Sequence, residues 1–220
     1  MLLQRFIDIG RLPLAFCALL TLAACASGGP AKTTDAGRES LDGESVEGEP
    51  PAVVIPPQVQ TLYEQAVSTM AAGDYVDAEL RFKEFLLQYP DYPGAYVNLA
   101  IIHNNNENDA AAKSAVDAAL ALNPDYPPAL NQLGMLLRRN GKFLEAEAAY
   151  LKAVTVSPDY ALAHYNLGVL NELYLQRFEV ALQHFESYQA LVGEDKQVEK
   201  WIADLRRRIA ATQRTANVAE

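Results

Sequence analysis

The stretch PPALNQLGMLLRRNGKFLEAEAAYLKAVTVSPDY, residues 127–160, decides the architecture. Leu130, Leu133, Gly134 and Leu137 fall at i, i+3, i+4 and i+7, the spacing that lines one face of an α-helix. Ala146, Tyr150 and Ala153 repeat that spacing further on, and Asn140-Gly141-Lys142 supplies a turn between the two halves. The stretch therefore predicts an antiparallel helix pair. Its closing Pro158-Asp159-Tyr160 also occurs at Pro90 to Tyr92 and at Pro124 to Tyr126, 34 residues apart each time. A fixed period of that length marks stacked supersecondary units.

The order of residue types resembles the tetratricopeptide repeat: a bulky residue (Leu130), Leu133-Gly134, a bulky residue (Leu137), a small Ala146, an aromatic Tyr150 and a terminal Pro158. Gly134 and Ala146 permit close helix approach, Leu130 and Tyr150 fill the space between pairs, and Pro158 stops the second helix. The resemblance implies an all-α, right-handed superhelical solenoid of about four helix pairs with a C-terminal capping helix. The repeats are read as 59–92, 93–126, 127–160 and 161–194. The first departs from the pattern with Gln65 in place of Leu. The second turn, Asn104 to Asp109, lacks Gly but is rich in residues that tolerate left-handed backbone. The fourth keeps Leu167-Gly168 and gains one residue near Leu173 to Gln176, as expected of an interhelical turn. Residues 195–213 read as the capping helix, with Val198, Ile202, Leu205 and Ile209 in one stripe, and 214–220 as a disordered tail. Arg206-Arg207-Arg208 is read as a solvated face of that cap.

Residues 1–24 carry Arg5 and Arg11 and then an apolar run from Leu12 to Ala24, the length of a signal-peptide core and short for a membrane span of roughly 20 residues. The run ends Leu22-Ala23-Ala24-Cys25, which resembles the lipoprotein cleavage box of bacteria. That resemblance implies diacylglycerol on Cys25, removal of the signal, and acylation of the new amino group. A conventional secretory signal cut after a nearby alanine is the alternative. Cys17 lies within the signal, so Cys25 is the one mature cysteine and no intramolecular disulfide can form. Ala26 stands where Asp would retain a Gram-negative lipoprotein in the inner membrane, so the resemblance implies an outer-membrane location facing the periplasm. Residues 25–58, rich in Gly, Pro, Ser, Thr and acids, read as a disordered tether with a mean reach of roughly 30 Å. Within it, Val53-Val54-Ile55 reads either as an extended approach to the first helix or as a short docking motif.

The precursor holds 18 basic and 28 acidic residues, a net charge of −10 with pI ≈ 4.8. This opposes nucleic-acid binding, which needs a basic footprint on phosphates. His103, His164 and His184 stand far apart in sequence without a Cys or carboxylate cluster at ligand spacing, so no metal, cofactor, catalytic residue or small-molecule substrate is expected. What remains is binding of a protein or peptide. In the family, first helices line the concave groove. By repeat position this implies Tyr63, Val67 and Met70; Val97, Ile101, Asn104 and Asn105; Asn131, Met135, Arg138 and Arg139; and Tyr165, Val169, Glu172 and Leu173. Such a mixture of aromatics, Met and Arg suits a protein interface, although packing against the next repeat would use some of these residues instead. A known variant of the family grips C-terminal carboxylates, but Tyr63, Val67, Pro128 and Gln132 occupy most of its key positions, and Asn98 alone matches. Two functional classes follow: a scaffold or assembly factor for an envelope machine of pilus or Ton-type energy-coupling kind, or an accessory subunit of an envelope enzyme such as a peptidoglycan-remodelling complex.

Overall fold

A computed structural model describes residues 56–218, with side chains to 215. The expected signal at 1–24, Cys25 and the expected tether as far as residue 55 lie outside the described residues. Nine helices occur among those described, without a strand: α1 (Pro57–Ala71), α2 (Tyr75–Gln88), α3 (Pro93–Asn105), α4 (Asp109–Leu122), α5 (Pro127–Arg139), α6 (Phe143–Val156), α7 (Ala161–Leu173), α8 (Phe178–Val192) and α9 (Lys196–Val218). Consecutive helices pack as pairs, and each first helix also touches the first helix of the next pair. The result is a helical solenoid.

The sequence explains each boundary. Pro93 and Pro127 open α3 and α5 from the first turn, where a missing N–H costs nothing. The second helices end at Gln88, Leu122 and Val156, two residues short of Pro90, Pro124 and Pro158. Gly73 and Gly141 take positive φ in the first and third turns. In the second turn the left-handed residue is Glu107 (φ 56°), not one of the asparagines, which instead do other work: Asn108 caps α4 by accepting from the Ala111 amide at 3.1 Å. The inserted residue of the fourth repeat falls in the turn between Leu173 and Phe178, where Gln176 adopts φ 54°.

Two element limits differ from expectation. Pro57 and Gln58 belong to α1 rather than to the tether, because proline's fixed φ suits a first helical turn. The final helix continues past Gln213 to Val218, since no Gly or Pro interrupts it, so 214–218 are helical and not a disordered tail. Among its last residues, the Thr212 and Thr215 hydroxyls donate back to the carbonyls of Arg208 and Ala211.

Packing follows the small-to-large rule of the sequence. Gly134 lies under the ring of Tyr150 and Gly168 under that of Phe185, while Ala66 with Phe82 and Ala100 with Val116, at corresponding places, are wholly buried. The capping helix buries Val198, Ile202 and Leu205 against Phe185 and Tyr188, and its Trp201 ring centre lies 5.5 Å from that of Phe185 and 5.9 Å from that of Tyr165. The arginine run does more than face solvent. Arg206 pairs with Glu186 at 2.7 Å, and Arg208 reaches Glu172 at 3.1 Å while its guanidinium lies 4.0 Å over Phe178. Both contacts tie α9 to the last repeat.

Candidate functional site

The first helices are joined by amide contacts that set their mutual register. Asn98 Nδ2 donates to the Tyr63 hydroxyl at 2.8 Å, Asn104 Nδ2 to Gln132 Oε1 at 3.1 Å, and Asn166 Nδ2 to Asn131 Oδ1 at 2.9 Å. The last pair is buried, so leaving either amide without its partner costs about 1 to 3 kcal/mol. This links a sequence of alternating amide and tyrosine positions to a fixed spacing of helices.

That frame removes several residues from any binding role. Met70, Val97 and Asn131 are buried between repeats and offer no face to a partner, a correction to the groove assignment. The cause is the same in each case: at these places the neighbouring helix is close enough to cover the side chain. Tyr63 and Tyr165 are half-buried, and much of each ring is spent on internal contacts. Tyr63 meets Phe82, Phe85 and Tyr92, and Tyr165 meets Phe185, Tyr188 and Trp201.

What remains accessible is a line of half-buried apolar side chains, Val67, Ile101, Met135 and Val169, one on each first helix and 34 residues apart. Beside it runs a second line, Asn104, Arg138 and Glu172, with Asn105, Arg139 and Leu173 exposed at its rim. The arginines do not act as a pair. Arg139 turns to the preceding repeat, where it donates to Asn104 Oδ1 at 2.8 Å and forms an ion pair with Asp109. Arg138 points elsewhere, with Cζ 6.0 Å from the centre of the Tyr174 ring. Burial raises the pKa of the Tyr150 phenol, and the Arg138 charge opposes that rise. Glu172 is committed to Arg208, and burial lifts its carboxyl above the usual range.

The fold also joins two histidines that stand 20 residues apart in the sequence. His164 Nδ1 and His184 Nδ1 are 3.1 Å apart, and His164 Nε2 lies 3.1 Å from the Pro158 carbonyl oxygen. That carbonyl can only accept, so in the neutral pair His164 carries its proton on Nε2 and its Nδ1 accepts from His184 Nδ1. Their separation in sequence hid the pairing, which the antiparallel hairpin of α7 and α8 creates. Among the described residues no group of three or more His, Cys, Asp or Glu could hold a metal ion, and no helix is long and apolar enough to cross a membrane.

Family comparison agrees with this geometry. The tetratricopeptide-repeat profile matches residues 69–136, and a second TPR-repeat profile matches 134–173. Residues 69–173 carry tetratricopeptide repeats. No curated protein matches it. Among solved structures, the solenoid is similar to Pseudomonas aeruginosa PilF, with TM-score 0.62 and 21% identity over 70% of this chain and 69% of that one. It is similar to TTC0263, a thermophilic TPR protein of Thermus thermophilus, with TM-score 0.59 and 22% identity over 68% and 82% of the two chains. It also resembles the first TPR of Spaghetti (RPAP3) bound to the HSP90 peptide SRMEEVD, with TM-score 0.50 and 17% identity over 54% and 95%. At these identities the likeness is one of fold.

Proposed function

We propose that this chain is an interaction scaffold whose first-helix surface holds a segment of a partner protein. The observation that carries this reading is the line Val67, Ile101, Met135 and Val169, kept half-exposed at the same place in every repeat while its neighbours Met70, Val97 and Asn131 are buried. Apolar side chains flanked by amides and charges match the core and rim of a protein interface. A TPR of the same fold, in RPAP3, is bound to a peptide, which supports the use of such a surface for an extended ligand.

The cleavage-box resemblance at Leu22 to Cys25 supports placing this scaffold on the outer membrane by a lipid anchor, facing the periplasm. There it would assemble an envelope machine of pilus or Ton-type energy-coupling kind. The test is affinity capture from detergent-solubilised envelopes with wild type, with the double variant Met135→Ala and Val169→Ala, and with Val76→Ala as a control away from the surface. Secretin or motor proteins recovered by wild type and control, but lost with the double variant, support the proposal. Recovery of hydrolases or synthases with the same dependence would instead identify the accessory subunit of an envelope enzyme. Recovery that ignores the double variant would move the binding surface elsewhere.

A further inference from the structure

We infer that Arg138 is an anion-receiving subsite in the middle of this surface, and that the peptide segment bound there carries an acidic side chain between apolar ones. The inference rests on the surface reading above and adds the chemistry of the ligand.

The repeats hold four arginines, Arg81, Arg138, Arg139 and Arg177. Three are committed within the chain: Arg81 to Asp77 at 2.7 Å, Arg177 to Glu147 at 2.8 Å, and Arg139 to Asp109. Among the described residues Arg138 has no ion pair, although it is half-buried and in the same turn as Arg139. Two acids on the same face of the repeats are already engaged. Asp109 is held by Arg139, and Glu172, which stands at the corresponding place in the next repeat, is held by Arg208. Asn104, the counterpart in the preceding repeat, is bonded to Gln132 and Arg139. Thus one member of this line keeps its hydrogen-bonding capacity for something outside the chain.

Arg138 is suited to one kind of ligand. A guanidinium presents a planar fork of donors that matches a carboxylate in a two-bond geometry. Partial burial beside Tyr174 strengthens such a pair relative to one in open water. Apolar side chains stand by it: Met135 lies one turn earlier on α5 and the Tyr174 ring 6.0 Å away, while Val169 and the exposed Leu173 hold in the next repeat the places of Met135 and Arg139. The chain as a whole is acidic, with net charge −10, so long-range attraction does not bring an acidic segment here. Recognition must be local, which makes Arg138 a determinant of specificity in the ligand sequence rather than a steering charge.

The probe is a phage-displayed library of random 12-residue peptides, panned against the detergent-solubilised full chain as wild type, Arg138→Gln and Arg138→Lys. The expected result is a wild-type pool enriched in Asp or Glu flanked by apolar residues, and loss of the acidic preference with Arg138→Gln. A peptide synthesised from the wild-type pool should bind Arg138→Gln at least about tenfold more weakly, the scale of a lost charged hydrogen bond. Arg138→Lys should be intermediate, since lysine keeps the charge without the fork. Helical circular dichroism and thermal unfolding of both variants should match wild type. Enriched peptides without acids, or affinity equal in wild type and Arg138→Gln, overturn the subsite. If such peptides still lose binding with Met135→Ala, the surface reading survives that failure. Peptides insensitive to both changes, or no enrichment at all, overturn the surface reading and the subsite together.

Discussion

A β-carbon added to Gly134 would stand 2.4 Å from Cε1 of Tyr150, a separation that side-chain carbons do not tolerate. Gly168 stands in the same relation to Phe185, with 2.6 Å to the ring. In the third and fourth repeats the glycine is therefore the socket for the aromatic of the facing helix. Exchanging helical Gly for Ala ordinarily gains about 0.5 to 1 kcal/mol. Here it must instead displace a fully buried ring, and overpacking of that kind costs about 1 to 3 kcal/mol. Gly134→Ala should thus destabilise the solenoid, and Gly134→Leu more so, while the exposed Lys142→Gln changes little. Urea unfolding followed by circular dichroism measures this. A midpoint for Gly134→Ala equal to or above wild type would refute the socket.

The turn at Glu107 offers a gain in the opposite direction. Residues 73 and 141, one repeat either side, are glycines with positive φ, but Glu107 holds φ 56° with a full side chain. Left-handed backbone costs an L-residue about 1 to 2 kcal/mol, and glycine escapes that penalty. Glu107→Gly should raise stability by about 0.5 to 1 kcal/mol once glycine's greater unfolded-state freedom is counted. Glu107→Ala, which removes the charge and keeps the strain, should stay near wild type. Equal stability of the glycine and alanine variants in the same unfolding assay would show that no strain is relieved.

The solenoid was legible because its determinants are local and repeated. A 34-residue period, a Gly or Ala facing a large residue, and proline after each of the first three second helices each have one structural consequence. The surface was less legible because a side chain on a first helix can face solvent or the next repeat. That choice depends on inter-repeat distance. Asn131 reads as a polar groove residue and is instead the buried acceptor for Asn166. Arg138 and Arg139 read as a pair, yet adjacent helical positions point about 100° apart, and only Arg139 reaches Asp109. His164 and His184 gave no signal as a pair because nothing in a linear pattern marks a contact across a helical hairpin.

The anchor gives a prediction independent of the solenoid. Cys25 is the one thiol of the proposed mature chain, so Cys25→Ser should abolish incorporation of a palmitate analogue in metabolic labelling. The variant should be recovered unprocessed or soluble, with the wild type in outer-membrane fractions. Label persisting in Cys25→Ser would end the lipoprotein proposal. Wild-type protein found mainly in the inner membrane would contradict the sorting expected from Ala26.

The histidine pair predicts how stability varies with pH. His184 is pulled down from 6.5 to about 4, first by burial and then by the neighbouring charge of His164. The unfolded chain takes up its proton near pH 6.5, whereas the folded chain resists until about pH 4. In that window the unfolded state binds more protons, so this group's contribution is fully present above pH 6.5 and is lost as pH falls towards 4. Glu172 works in the other sense: its raised pKa favours the folded state at acid pH, and that contribution is lost as pH rises through its folded value. The two must be separated by substitution. Glutamine at 184 can still donate to His164 Nδ1 but cannot titrate near neutrality. The fall in melting temperature between pH 7 and pH 5 should therefore be smaller for His184→Gln than for wild type. Two curves that run parallel across this interval would mean that His184 takes up its proton as readily in the folded chain as in the unfolded one, and that the hydrogen-bonded pair does not hold it neutral.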